Sequence, residues 1–205
     1  MSVDLDRHTR KLLPEIVKMA HERMSQTLEL EIPAELPESE NQKLLRVAVY
    51  LPLNDVLTLA KSYNMQGDPD QCLKLGFHSG GAGNCWQTHE IVICDLEDAK
   101  VTFEQNWNMS AYQQSLVRPQ SKSLLCVPIF NLEKYDVDAD SQKSNPIIGV
   151  LCFDSDLNLI EKFARSETIA EAKILAGLIS VALLGDMEAT LNGSLMSSLR
   201  MPKRR

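Results

Sequence analysis

The stretch Leu75–Asp98, LGFHSGGAGNCWQTHEIVICDLED, joins a glycine hinge, a short helical segment and a buried strand in one run. Gly80, Gly81 and Gly83 allow positive φ and close backbone approach, so the turn they make is free to face something other than protein. Asn84 to Glu90 is predicted to form about two helical turns, and the apolar run Ile91 to Cys94 ends in Asp95, as a buried strand does. The order loop, helix, strand, acid makes this run the expected ligand site.

Working outward, the chain before it supplies a helix and a hairpin. Leu13, Ile16, Val17, Ala20, Met24 and Leu28 recur at three- and four-residue spacing, which predicts an amphipathic helix over Leu12–Leu30, with Pro14 in its first turn. Residues 1–11 are expected to form a separate arm, and the stretch 31–41, with Pro33 and Pro37, a linker. Leu44–Leu51 reads as a strand stopped by Pro52. Asn54 and Asp55 turn it back into a second strand, Val56–Ser62.

Downstream, Trp107, Ala111, Tyr112 and Leu116 predict a helix ending before Pro119. Ser123–Ile129 and Ile148–Ser155 are apolar strands, with the acidic stretch 133–145 between them as an exposed hairpin loop. A last helix is expected over Ser166–Met187, N-capped by Ser166 and apolar over more of its circumference than one sheet covers.

These segments together resemble the GAF domain family. The matches are Gly80, Gly83, Thr88, Ile91, Val92 and Asp95 in the central run, then Ser123, Val127, Pro128 and Ile129, then Ile148-Gly-Val-Leu. The resemblance implies an α+β fold: a mainly antiparallel central sheet with pocket-covering loops and short helices on one face, and long N- and C-terminal helices on the other. It divides the chain into residues 1–41 (arm, amphipathic helix, linker), 42–188 (GAF-like domain) and 189–205 (flexible basic tail).

Composition narrows the function. The chain has 205 residues and a formal net charge of −7, against what a phosphate-binding surface needs, so nucleic acid is not an expected partner. Absence of a signal sequence and of any 18-residue apolar run predicts a cytoplasmic protein without a membrane span. Five cysteines with no C-x-x-C spacing fit a reducing compartment.

The expected ligand-binding residues are His78, Gly80, Gly81, Gly83, Cys85, Trp86, His89, Asp95, Trp107, Tyr112 and Ser123. The ligand is an unidentified small molecule, no cofactor is named, and no metal is expected. Cys85 and His89, four apart, share a helix face, a spacing that fits a metal ligand pair or a thiolate–imidazole pair, with His78 and Asp95 as the further groups of the constellation.

An enzymatic alternative rests on Cys85. Gly81-Ala-Gly-Asn-Cys85-Trp86 is similar to the Gly-x-Gly-Val-Cys-Gly run of free methionine-(R)-sulfoxide reductases, which are GAF enzymes, but Val117 stands where their nucleophilic cysteine would be. The leading expectation is a sensory or regulatory module. It signals to a partner protein through ligand-dependent ordering and a homodimer built on Leu13, Val17, Met24, Leu175, Ile179 and Leu183.

Overall fold

The computed structural model describes residues 9–30, 44–99, 107–136 and 144–198, with side chains described to residue 185 in the last stretch. Six strands form one antiparallel sheet. They are β1 (Arg46–Leu53), β2 (Val56–Tyr63), β3 (Lys74–Leu75), β4 (Val92–Asp95), β5 (Ser123–Phe130) and β6 (Ile147–Ser155), in the order β3-β2-β1-β6-β5-β4. The α+β architecture is the one expected.

The long helices α1 (Thr9–Thr27) and α6 (Ser166–Ser198) cover one face of the sheet. The other face carries α2 (Gly80–Thr88), with the short helices α3 (Leu96–Ala99) and α4 (Ala111–Leu116) near it, whereas α5 (Ile160–Phe163) packs Phe163 into the core under the long helices.

The central strands are buried on both sides, and their period of two sorts the residues between two cores. Val47, Val49, Leu125, Val127, Ile129, Leu151 and Phe153 face α1 and α6. Arg46, Ala48, Tyr50, Leu124, Cys126, Cys152 and Asp154 alternate with them and face α2. Registers Arg46↔Asp154, Ala48↔Cys152 and Cys126↔Cys152 place partners of the second set side by side.

Asn54 and Asp55, both at positive φ, make the two-residue hairpin turn expected there. Pro52, expected to stop the first strand, lies within β1, paired to Leu57. Beyond Tyr50 the strand pairs on one side only, and a strand with an open side tolerates proline. Helix α1 starts at Thr9 rather than Leu12, with Pro14 inside it, so one carbonyl loses its helical donor while the helix continues.

Ser166 is the first helical residue rather than the cap, its hydroxyl bonding Glu167 Oε2 at 2.8 Å. Helix α6 runs on to Ser198, so the boundary placed at 188 falls inside it. Its Ser166–Gly185 portion is, against expectation, long and apolar enough to cross a membrane, but half of that portion is buried in the protein, which accounts for its composition. The linker 31–41, residues 137–143 of the predicted loop and the last seven residues of the basic tail lie outside the described residues.

The six residues assigned to a dimer contact are instead core. Leu13, Val17, Met24, Leu175, Ile179 and Leu183 are all buried where α1 lies across α6 and the sheet. Helix α1, folded across α6, covers the part of its apolar surface that holds Leu175, Ile179 and Leu183.

Candidate functional site

Helix α2 begins on the glycines themselves. Ser79 precedes it in extended conformation, Gly80 takes φ 65°, and Gly81 and Gly83 lie in the first turn, so the expected loop is helix. A Cβ on Gly81 would stand 2.8 Å from Leu124 Cδ2, and one on Gly83 would run into the Gly76 carbonyl oxygen. Bare backbone here is what lets α2 lie close to the sheet.

Between that turn and the sheet is a cavity of about 80 Å³. Its apolar wall includes Leu73, Leu75, Ala82, Leu96, Met109, Val117 and Leu124, with the sulfurs of Cys94 and Cys152. Its polar end holds Arg46, Tyr50, Asp70, Ser121 and Asp154.

The polar end belongs to a buried ion network. Arg46, 2% exposed, donates from Nε to Asp154 Oδ1 (2.6 Å), from Nη1 to Asp68 Oδ2 (2.7 Å), and from Nη2 to Asp70 Oδ2 (2.9 Å) and Ser121 Oγ (2.9 Å). Arg118 donates to Asp68 Oδ1 at 3.1 Å and to Asp156 Oδ2 at 2.8 Å. Two guanidinium groups thereby tie the 68–70 turn, the segment 118–121 and the end of β6 together.

Burial works against the Arg46 charge, yet Asp154 and Asp70 hold its pKa above the usual range. Desolvation dominates at Asp154 and, with Asp70 and Asp156 nearby, pushes it up to about 6 despite Arg46. Both partners shift upward, Asp154 because its burial outweighs its attraction to Arg46 and Arg46 because the acids around it outweigh its own burial.

Of the expected site residues, only Gly80, Gly81 and Trp107 line this cavity. Gly83 packs on the Gly76 carbonyl. His78 is exposed at φ 65°, and Tyr112 is 69% exposed. Trp86 is buried and stacks on Phe77, ring centroids 4.0 Å apart.

Asp95 caps the Glu97 amide (2.9 Å) and accepts from Asn158, on the far side of β4 from Cys94. Ser123 is on the α6 side of β5, donating to the Leu157 carbonyl at 2.8 Å and accepting from Leu159 N. Both corrections have one cause: in a strand, adjacent residues point to opposite faces.

The pairing of Cys85 with His89 does not form. His89 leaves the helix as its left-handed cap, φ 61°, and no metal-binding cluster of His, Cys, Asp or Glu exists among the described residues. Cys85 is fully buried behind the cavity, where desolvation raises its thiol well above the ordinary range, the opposite of an activated nucleophile.

The residues missed were Arg46, Tyr50, Asp70, Ser121 and Asp154. Their signal is a charge inside an apolar strand run, Arg46 before VAVYL and Asp154 within VLCFDS, since such residues are buried only when paired. A second hollow of about 410 Å³ between α6 and β5 contains Glu90, Phe130, Tyr135 and Lys173, with no buried charged group among its described residues.

A model of the GAF domain family matches residues 40–183. Solved structures with this fold include the GAF domain of an Acinetobacter phosphoenolpyruvate-protein phosphotransferase, 14% identical over 83% of this chain and 94% of that one, with TM-score 0.50. The GAF domain of a two-component sensor histidine kinase from Bacillus halodurans is 17% identical over 86% and 97%, with TM-score 0.49. A free methionine-R-sulfoxide reductase from Neisseria meningitidis, solved with its substrate, is 22% identical over 88% and 91%, with TM-score 0.48. No curated protein matches the chain. At these identities the likeness speaks to fold alone.

Proposed function

This chain belongs to the GAF domain family, and on that premise we propose that it is a small-molecule-binding regulatory module whose ligand sits under the first turn of α2. The observation that carries the reading is the cavity itself, which pairs an apolar wall with one buried, charged polar end. Small-molecule sites have that composition: apolar surface for affinity and a few placed polar groups for orientation.

Ligand contact with Gly80, Gly81 and the β1–β6 ladder reaches the opposite face of the same strands, where α1 and α6 pack. Occupancy is thereby coupled to the long helices, which present the change to a partner signalling protein. A thermal-shift screen of metabolites on the native chain and on Val117→Phe, which fills the half-buried cavity wall, tests this. Stabilising compounds that lose their effect on Val117→Phe are expected; a screen without any counts against the reading.

The homodimer is retained as part of this proposal, on different residues. Ile174, Leu178 and Val181 form an exposed stripe on α6, 52%, 39% and 59% exposed, and Gly177 and Gly185 have open space where a Cβ would stand. Such a stripe is self-complementary about a two-fold axis. Light scattering at micromolar concentration is expected to give twice the chain mass, and the chain mass for Ile174→Glu/Val181→Glu.

A further inference from the structure

Resting on the cavity reading above, we infer that the ligand carries a cationic hydrogen-bond donor, an ammonium or amidinium group on a short apolar body, and delivers it to Asp154 Oδ2. The polar end is spent in one direction only. Arg46 uses Nε and both Nη2 hydrogens on Asp154, Asp70 and Ser121, and an Nη1 hydrogen on Asp68. Ser121 accepts from Arg46 and aims its own proton at Asp154 Oδ1, 3.5 Å away.

Asp154 takes both of its bonds on Oδ1. Its Oδ2 receives none from any described residue, although the residue is 92% buried by its 8% exposure and borders the cavity. That oxygen keeps accessible surface on a side chain 11% exposed, and at a residue lining the cavity this leaves it open to a donor from the ligand.

Charge points the same way. Among the described residues, the charged groups on the cavity wall are one guanidinium, Arg46, and two carboxylates, Asp70 and Asp154. An anionic head would meet both acids with four of the five Arg46 N–H donors already on protein oxygens; a cation meets complementary potential. Desolvation disfavours ionised Asp154, and a cation beside Oδ2 relieves that penalty. The body is set by the walls, which beyond this end are Leu73, Leu75, Met109, Val117 and Leu124, and by a volume of about 80 Å³, so it is short and apolar.

The test uses the full chain and three probes of one size, n-butylammonium, 1-butanol and butyrate, followed by ligand-observed NMR. n-Butylammonium is expected to bind about tenfold more tightly than either of the others, as a charge-assisted bond predicts. Val117→Phe should abolish binding, and Asp154→Asn should erase the preference.

Because Asp154→Asn also disturbs the Arg46 network, the native chain gives an independent reading between pH 5 and 7. The groups facing Asp154 there are Arg46, Asp70, Asp156, Ser121 and Tyr50, and the ammonium preference should grow as Asp154 ionises. Butanol or butyrate binding as tightly, with binding still lost in Val117→Phe, overturns the cation and leaves the cavity standing. If no probe's binding responds to Val117→Phe, the cavity reading fails and this inference falls with it.

Discussion

Arg46 and Asp154 stand opposite each other in the β1–β6 register, and the 2.6 Å bond from Nε to Oδ1 joins them on the sheet's cavity-facing side. Around that pair the chain gathers Asp68, Asp70 and Ser121 from segments that share no strand with either. A buried ion group is kept by its completeness: removing one member leaves the others charged and unpaired.

Arg46→Ala is therefore expected to lose on the order of 4 kcal/mol of stability, because Asp154, Asp70 and Asp68 lose this guanidinium at once, Asp68 keeping Arg118. Arg46→Lys should recover only part of it, since one ammonium cannot reproduce the fork that reaches Asp154, Asp68 and Asp70 together. Urea unfolding of both variants checks this; an Arg46→Ala midpoint within error of the native chain would refute the network's role.

Asp154 gives an acid-side signature. Its folded pKa, about 6, lies above its ordinary 3.8, so the folded state holds the proton more tightly than the unfolded chain. Its contribution is fully present below pH 3.8 and is lost as pH rises through 6, on the order of 3 kcal/mol. His21 runs the other way, because burial lowers its pKa although its ring bonds the Leu45 carbonyl. Native and Asp154→Asn chains share His21, so the difference between their stability–pH curves from 4 to 7 isolates the aspartate: the native curve should descend relative to the variant's.

Thiol reactivity should follow burial. Cys72 is exposed, whereas Cys85, Cys94, Cys126 and Cys152 are buried, with desolvation pushing Cys94 up to about 12 and Cys126 well above its ordinary range. An aromatic disulfide reagent is expected to titrate one thiol at once in the folded protein and all five in denaturant. Rapid reaction of a second thiol, lost in Cys85→Ser, would reopen the reductase alternative.

Gly83→Ala should destabilise by about 3 kcal/mol, since its methyl meets the Gly76 carbonyl, a backbone atom with little room to yield. Gly81→Ala should cost less, because the groups it meets, Leu124 Cδ2 and Cys94 Sγ, are side-chain ends. Thermal melts rank the two, and the reverse order would mean that α2 does not lie against its own approach loop.

On α6, neighbouring positions separate folding from assembly. Leu183→Glu places a charge in the core and is expected to cost roughly 3 kcal/mol or more. Val181→Glu, 59% exposed, should leave the melting temperature of the chain nearly unchanged at low concentration and weaken self-association. Sedimentation over a hundredfold concentration range distinguishes them.

Local and periodic features were legible along the chain. The apolar stripe from Leu13 to Leu28 made α1, Asn54-Asp55 made the hairpin, and the strand runs around Val127 and Val150 named both the α+β class and the family, because each depends on neighbours within a few residues. The sequence also located the glycines under which the cavity lies.

Tertiary structure decided which face each residue takes and what meets it there. Ser123 and Asp95 sit one residue from cavity-lining Leu124 and Cys94, and the two-residue period of a strand turns them away. The cover over α6 came from α1, more than 130 positions away in the chain. The charged end of the cavity is assembled from residues 46, 68–70, 118–121 and 154–156, brought together by strand register and long-range burial, and no spacing along the chain records that distance in space.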